Sequence, residues 1–197
     1  MNLPNKLSCF RMVLVPLIVA VWIFPYAQFN ITIPELEISI VTLSLKNVFV
    51  LTLFFIASIT DFLDGYIARK NNLITSFGKF IDPIADKLLV NTMFILFACM
   101  GIVPIAPVLV MIWRDTVVDG LRMNTASKGV VVAAGMLGKV KTVAQMITII
   151  LVLLNNLPFE LLRFPMADFM LWFSMLVSVA SGFSYFMQMK EHILETM

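Results

Sequence analysis

The sequence predicts an all-α integral membrane protein of six transmembrane helices, with a polar cavity at one edge of the bundle. Three observations predict it. Of 197 residues, 60% are hydrophobic and only 13% charged, with a mean hydropathy of +0.97; a soluble domain could not cover itself with so little polar surface. Several uncharged runs approach or exceed the roughly 20 residues a spanning helix needs. The ionisable residues that interrupt the other apolar stretches gather toward one end of the spans they imply, where charge marks a functional cavity.

Taken in order, the first run, Met12–Pro34, follows Lys6 and Arg11, the layout of a secretory leader. It is long enough to span and lacks a small-residue cleavage site, so it reads as a retained first helix with the two basic residues flanking it. The middle of the chain is less regular. Only 14 uncharged residues separate Lys46 from Asp61, too few for a span, whereas 26 separate Lys87 from Arg114, too many for one helix and too few for two. Both mismatches resolve if the second helix continues through Asp61 and Asp64 and the third begins early enough to include Asp82, Asp86 and Lys87. The stretch CMGIVPIAP (99–107) then supplies a turn near Gly101–Pro104. The runs Thr142–Phe159 and Phe169–Met189 complete the set. The expected spans are 10–28, 44–66, 76–100, 104–124, 137–157 and 167–189, within one membrane-embedded domain covering residues 1–197.

With both termini inside, twelve of the fourteen Lys and Arg residues fall on or near the cytoplasmic side, and only Lys46 and Arg163 on the other. That bias predicts that the termini and the charged site face the cytoplasm. A net charge of +2 gives no basis for a nucleic-acid partner. The single histidine, His192, lies in a polar tail, and Cys9 and Cys99 read as reduced packing residues. Residues 160–197 carry no recognisable chemistry.

The segment TDFLDGYIARKNNLITSFGKFIDPIADK (60–87) concentrates the charge. At about 100° per residue, Asp64 lies roughly −60° from Asp61 around a helix, Gly65 about +40°, Ala68 about −20° and Arg69 about +80°. Gly78, Asp82 and Asp86 recur every four residues on the next helix and share its face. Four carboxylates from two helices can therefore converge on one pocket. Where solvation is poor they would repel, so a divalent cation is their natural counterpart. All-oxygen ligation points to Mg²⁺ or Mn²⁺. Gly65, Ala68 and Gly78 leave the pocket wall bare for a ligand. Pairing with Arg69, Lys70, Lys79 and Lys87 would explain one such aspartate, but not four at this spacing. Pro83 is expected to kink a helix begun near Thr75–Ser76, rather than to start one behind an Asp82 cap.

This segment resembles the signature of the CDP-alcohol phosphotransferase family, D-x2-D-G-x2-A-R-x8-G-x3-D-x3-D, met at Asp61, Asp64, Gly65, Ala68, Arg69, Gly78, Asp82 and Asp86. The resemblance implies a six-helix membrane enzyme, usually a homodimer, working with a pair of divalent cations. It implies that Asp61, Asp64, Asp82 and Asp86 hold the metal. Asp61, Asp64, Gly65, Ala68, Arg69 and Gly78 would form the CDP site, with Asp86 as the catalytic base. The implied reaction is attack of an alcohol hydroxyl on the lipid-bearing phosphate of a CDP-linked lipid, releasing CMP.

Two further segments bear on the alcohol. IWRDTVVDGLR places Arg114 and Arg122 about 80° apart on one helix, and GKVKT adds Lys139 and Lys141 at the next. Arg114 lies deep in its span, and Arg binds phosphate in bidentate fashion, so a phosphate-bearing acceptor suits the cluster. Lys128 and Lys141 read as cytoplasmic anchors. These segments, with the opening NLPNKLSCFRMVLVP, resemble the branch of the family that makes phosphatidylglycerophosphate in bacteria. That branch carries a phosphatidyl group from CDP-diacylglycerol to sn-glycerol 3-phosphate, with the acceptor phosphate on Arg114, Arg122 and Lys139. Asp115 and Asp119 depart from the branch pattern, which has Glu and a small residue there. Other acceptors in the family are inositol phosphate, serine and phosphatidylglycerol. A cation transporter would also use intramembrane carboxylates, but nearer the midplane and on broken helices.

Overall fold

The computed structural model describes residues 2–38, 40–71, 75–127 and 135–194. Six long helices account for most of them: α1 (Leu3–Ile23), α2 (Leu45–Lys70), α3 (Ser76–Cys99), α4 (Ile105–Ser127), α5 (Met136–Leu153) and α6 (Met166–Leu194). Four of these, α1, α2, α5 and α6, contain a stretch long and apolar enough to cross a membrane. The other two are the helices that carry Asp82, Asp86 and Lys87, and Arg114, Asp115, Asp119 and Arg122.

α1 starts seven residues earlier than the expected span, because Pro4 sits in its first turn, where a missing N–H costs nothing. It ends at Ile23, two residues ahead of Pro25, and a 3-10 turn at Tyr26–Phe29 follows. The chain then makes an antiparallel hairpin, β1 (Glu35–Ile38) with β2 (Val41–Ser44), in the register Glu35↔Ser44 through Ile38↔Val41. Val41 and Leu43 turn inward from β2. The helix-to-helix turn after α3 falls where the sequence placed it, with Gly101 in the left-handed region at φ 69°. α3 begins at Ser76, where the Thr75 hydroxyl accepts the Gly78 N–H at 3.0 Å, and runs unbroken through Pro83. Asp82 is therefore a mid-helix residue and not a cap.

α1 packs along both α2 and α3, while α4 and α5 pack on α6. The apolar core joins the two halves: Ile18 and Trp22 of α1, Phe54 of α2, Met93 and Phe97 of α3, Met111 of α4, Ile149 of α5 and Leu171 of α6 are all buried. Trp22 meets Phe97 edge-on, with centroids 5.6 Å apart. Phe62, Trp113, Leu176 and Phe183 point outward, an arrangement that water would penalise and lipid does not. On α6, Ser174, Ser178 and Gly182 recur every four residues, giving a flat face against which neighbouring helices close up. Thr148 of α5 hydrogen-bonds Ser174 across that contact at 3.1 Å.

Candidate active site

The aspartates of α2 and α3 meet one face of α1. Asn5, Ser8 and Arg11 follow one another at steps of three, so they drift only about 60° per step around the helix. All three are buried, and Arg11 is wholly so. The Arg11 guanidinium forks between two carboxylates, donating from Nη1 to Asp61 Oδ1 and from Nη2 to Asp64 Oδ2, the latter at 2.6 Å. Its Nη1 also stands 3.9 Å from Asp86 Oδ1. Ser8 Oγ donates to Asp82 Oδ1 at 2.6 Å and lies 3.2 Å from Asp64 Oδ2. Through α1, all four predicted aspartates are thus drawn into one cluster.

The four are not equivalent. Asp64 is buried, whereas the Asp61 and Asp86 side chains keep 33% and 38% of their surface and open toward solvent. Among the described residues Asp86 makes no hydrogen bond, which leaves its carboxylate the least committed. Gly78 is buried between Asn5 and Asp82: a Cβ there would lie 3.1 Å from Asn5 Oδ1 and 3.7 Å from Asp82 Oδ2. Even an alanine would press on the cluster. Gly65 is half-buried on the same side of α2. The backbone of Ala68 and Arg69 continues α2, but their side chains lie outside the described residues.

The donor set, four carboxylates with no His or Cys, suits a hard divalent cation. Among the described residues, however, no three acidic side chains are arranged to hold one ion as they stand. The carboxylates are arranged around Arg11 instead.

A second cluster joins α4, α5 and α6. Arg114 donates to Asp115 Oδ1 at 2.8 Å and to Ser181 Oγ at 2.7 Å. Arg114 and Arg122 both lie over the Tyr185 ring, their guanidinium carbons 5.7 and 5.5 Å from its centroid. The Tyr185 hydroxyl in turn accepts the Gly135 N–H at 3.0 Å, tying the start of α5 to α6. Gly182 makes room for Arg114, since a Cβ there would come within 2.9 Å of its Cγ. Arg122 and Lys139 are exposed.

Two expectations change here. Lys141 is not an anchor at the membrane surface: it is buried and donates to both Asp115 oxygens, at 2.5 and 2.6 Å. Burial forces that pairing, because a lone ammonium would be costly at that depth. Lys128 lies outside the described residues. Nor is the tail without chemistry, since Ser181, Gly182 and Tyr185 of α6 seat the arginines. The unusual Asp115 and Asp119 also find partners. Asp115 neutralises Arg114 and Lys141, while Asp119 pairs with Lys87, bracing α4 against α3 beside Asp86.

The helical frame, the aspartate cluster and the basic cluster define a class. The CDP-alcohol phosphatidyltransferase family model matches residues 1–180. The chain belongs to that family and is a membrane-bound phosphatidyltransferase, of a kind that generally depends on divalent cations. More particularly, it is 45% identical over 185 residues to a Bacillus subtilis protein named CDP-diacylglycerol–glycerol-3-phosphate 3-phosphatidyltransferase, covering 94% of this chain and 93% of the relative. Proteins of the same name from Rickettsia bellii and Salmonella choleraesuis are 36% identical over 97% of each chain and 35% identical over 75% and 74%.

Proposed function

We infer that the protein transfers a phosphatidyl group from CDP-diacylglycerol to sn-glycerol 3-phosphate, giving phosphatidylglycerophosphate and CMP. One observation carries the reading: Lys87, next to Asp86 on α3, pairs with Asp119 on α4 and so ties the acidic cluster to the helix that bears Arg114 and Arg122, in a sequence similar over most of its length to enzymes named for this reaction. Asp61, Asp64, Asp82 and Asp86 would hold Mg²⁺ or Mn²⁺ as a pair of ions. When bound, these ions neutralise the pyrophosphate and the departing CMP. Gly65 and Gly78 let the nucleotide approach the backbone, with Ala68 and Arg69 completing the CDP side. Arg114, Arg122 and Lys139 receive the acceptor phosphate and turn its free hydroxyl toward the aspartates. Asp86, the aspartate with fewest commitments, takes the hydroxyl proton as the oxygen attacks the lipid-bearing phosphorus. The phosphorus–oxygen bond to CMP then breaks, and CMP leaves as the anion.

The positive-inside bias supports a placement of the termini and both clusters on the cytoplasmic side of a bacterial membrane, where the water-soluble acceptor can reach the site and CMP can leave it. By family likeness the working unit is a homodimer. Purified protein supplied with CDP-diacylglycerol and a panel of acceptors tests the reading. Metal-dependent CMP release should follow sn-glycerol 3-phosphate, and not serine, inositol phosphate or phosphatidylglycerol. CMP release driven equally by serine would overturn the acceptor assignment. Cysteines placed at positions 72 and 128 should resist labelling from outside intact cells, and ready labelling would overturn the orientation.

A further inference from the structure

The proposed reaction gives no part to Arg11, although its guanidinium touches the aspartates. Among the described residues, Arg11 alone stands within ion-pair distance of Asp61, Asp64 and Asp86, and it is wholly buried. We propose that Arg11 is the resident cation of the aspartate site, holding its carboxylates together until divalent ions bind and setting divalent affinity by competition. The proposal rests on the reading that these aspartates take divalent ions.

Charge and geometry both support it. Among the described residues, three carboxylates stand within ion-pair distance of one guanidinium, and Asp64 and Arg11 are buried, where uncompensated ions are costly. Arg is always protonated, so it cannot relieve the site by losing its charge. Its fork takes one oxygen from Asp61 and one from Asp64, while Ser8 holds Asp82. The carboxylates consequently surround the guanidinium and are not gathered on one ion. For them to converge on a divalent ion, Arg11 must give up at least one of these oxygens. If it stayed, two like charges would crowd one pocket. Either way the two cations oppose each other, and removing Arg11 should tighten divalent binding.

The test uses the full chain in detergent micelles without any CDP-lipid, titrated with Mn²⁺ while free ion is read by electron paramagnetic resonance. Arg11→Met should bind Mn²⁺ on the order of tenfold more tightly than wild type, a coupling of ordinary size between opposed ligands. Arg11→Lys keeps the charge but loses the fork, and should bind roughly threefold more tightly. Mn²⁺ should also raise Tm further in Arg11→Met than in wild type, since the apo site has lost its counter-ion. If Arg11→Met folds only while Mn²⁺ is present, that dependence supports the same conclusion. If it folds under neither condition, the Arg11→Lys comparison decides. Wild type that binds Mn²⁺ while the variants bind no more tightly would overturn the resident-cation role alone. Wild type that binds no Mn²⁺ would overturn the metal reading beneath it as well.

Discussion

The acidic and basic clusters lie in neighbouring parts of one bundle, yet they manage charge in opposite ways. Around α1, α2 and α3, four aspartates share one buried arginine and one serine hydroxyl. Around α4, α5 and α6, the buried cations Arg114 and Lys141 share one carboxylate, and a second carboxylate of α4 reaches across to α3. Asp115 serves Arg114 and Lys141, Asp119 serves Lys87, and Ser181 braces Arg114. Among the described side chains, the first region holds more carboxylates than cations. The second is cross-braced and holds two guanidinium groups on one aromatic ring, with Arg122 and Lys139 exposed. This difference teaches a division of labour. Among the described side chains, carboxylates are left in excess where the proposed divalent ions would enter, and cations are left exposed where the proposed anionic acceptor would be oriented and then released.

Breaking the acidic region should have the largest effect. Asp82→Asn or Asp61→Asn should lower turnover on the order of 100–1,000-fold or more, the scale of losing a preorganised electrostatic group. Circular dichroism should show the helices intact. Chelation should silence the wild type, and Mg²⁺ or Mn²⁺ should restore it. Activity that survives both substitutions and chelation would remove the acidic region from the chemistry.

Breaking the basic region should act on one substrate only. Arg122→Ala removes charge-assisted hydrogen bonds, each worth about 1.5–3 kcal/mol. Acceptor KM should rise roughly 10–150-fold while the CDP-diacylglycerol KM barely moves. Gly182→Ala sharpens the comparison further. The new methyl group must push Arg114 from its seat, which should cost about tenfold in acceptor kcat/KM and leave CDP-lipid saturation unchanged. Tyr185→Phe is the mildest change. It keeps the ring under both arginines and, among the described residues, loses only the bond to the Gly135 N–H, worth about 0.5–1.5 kcal/mol. Acceptor kcat/KM should fall only a few-fold, whereas Tyr185→Leu should approach the effect of Gly182→Ala.

How much of this was legible in the sequence depended on distance along the chain. Steps of three and four put Asp61 with Asp64 on one helix face and Gly78 with Asp82 and Asp86 on another, so each face was legible, whereas the contact of both with α1 was not. Arg11 was hidden by its position. A basic residue at the head of an apolar run reads as a membrane flank, and only the packing of α1 across α2 and α3 turns it inward. Its spacing of three from Ser8 and six from Asn5 was the available signal. The α6 residues gave less still, because serine, glycine and tyrosine are ordinary in a membrane helix until a neighbour's side chain is known. Lys141 shows the same limit, since an anchor and a buried ion pair differ only in what Asp115 faces. The hairpin at 35–44 was missed for another reason. Counting uncharged residues tests for spans, whereas the alternation in ELEI and VTLS is a strand period.

The central claim is that the basic region recognises the acceptor's phosphate while the acidic region works on the CDP-lipid. Its most direct test is the ratio of kcat/KM for sn-glycerol 3-phosphate to that for glycerol, measured by CMP release in wild type and in Arg122→Ala. The wild type should favour the phosphorylated acceptor strongly, and the substitution should shrink that preference by roughly the 10–150-fold lost on glycerol 3-phosphate while leaving glycerol nearly unaffected. A preference that survives Arg122→Ala unchanged, or a wild type that uses glycerol equally well, would contradict the account.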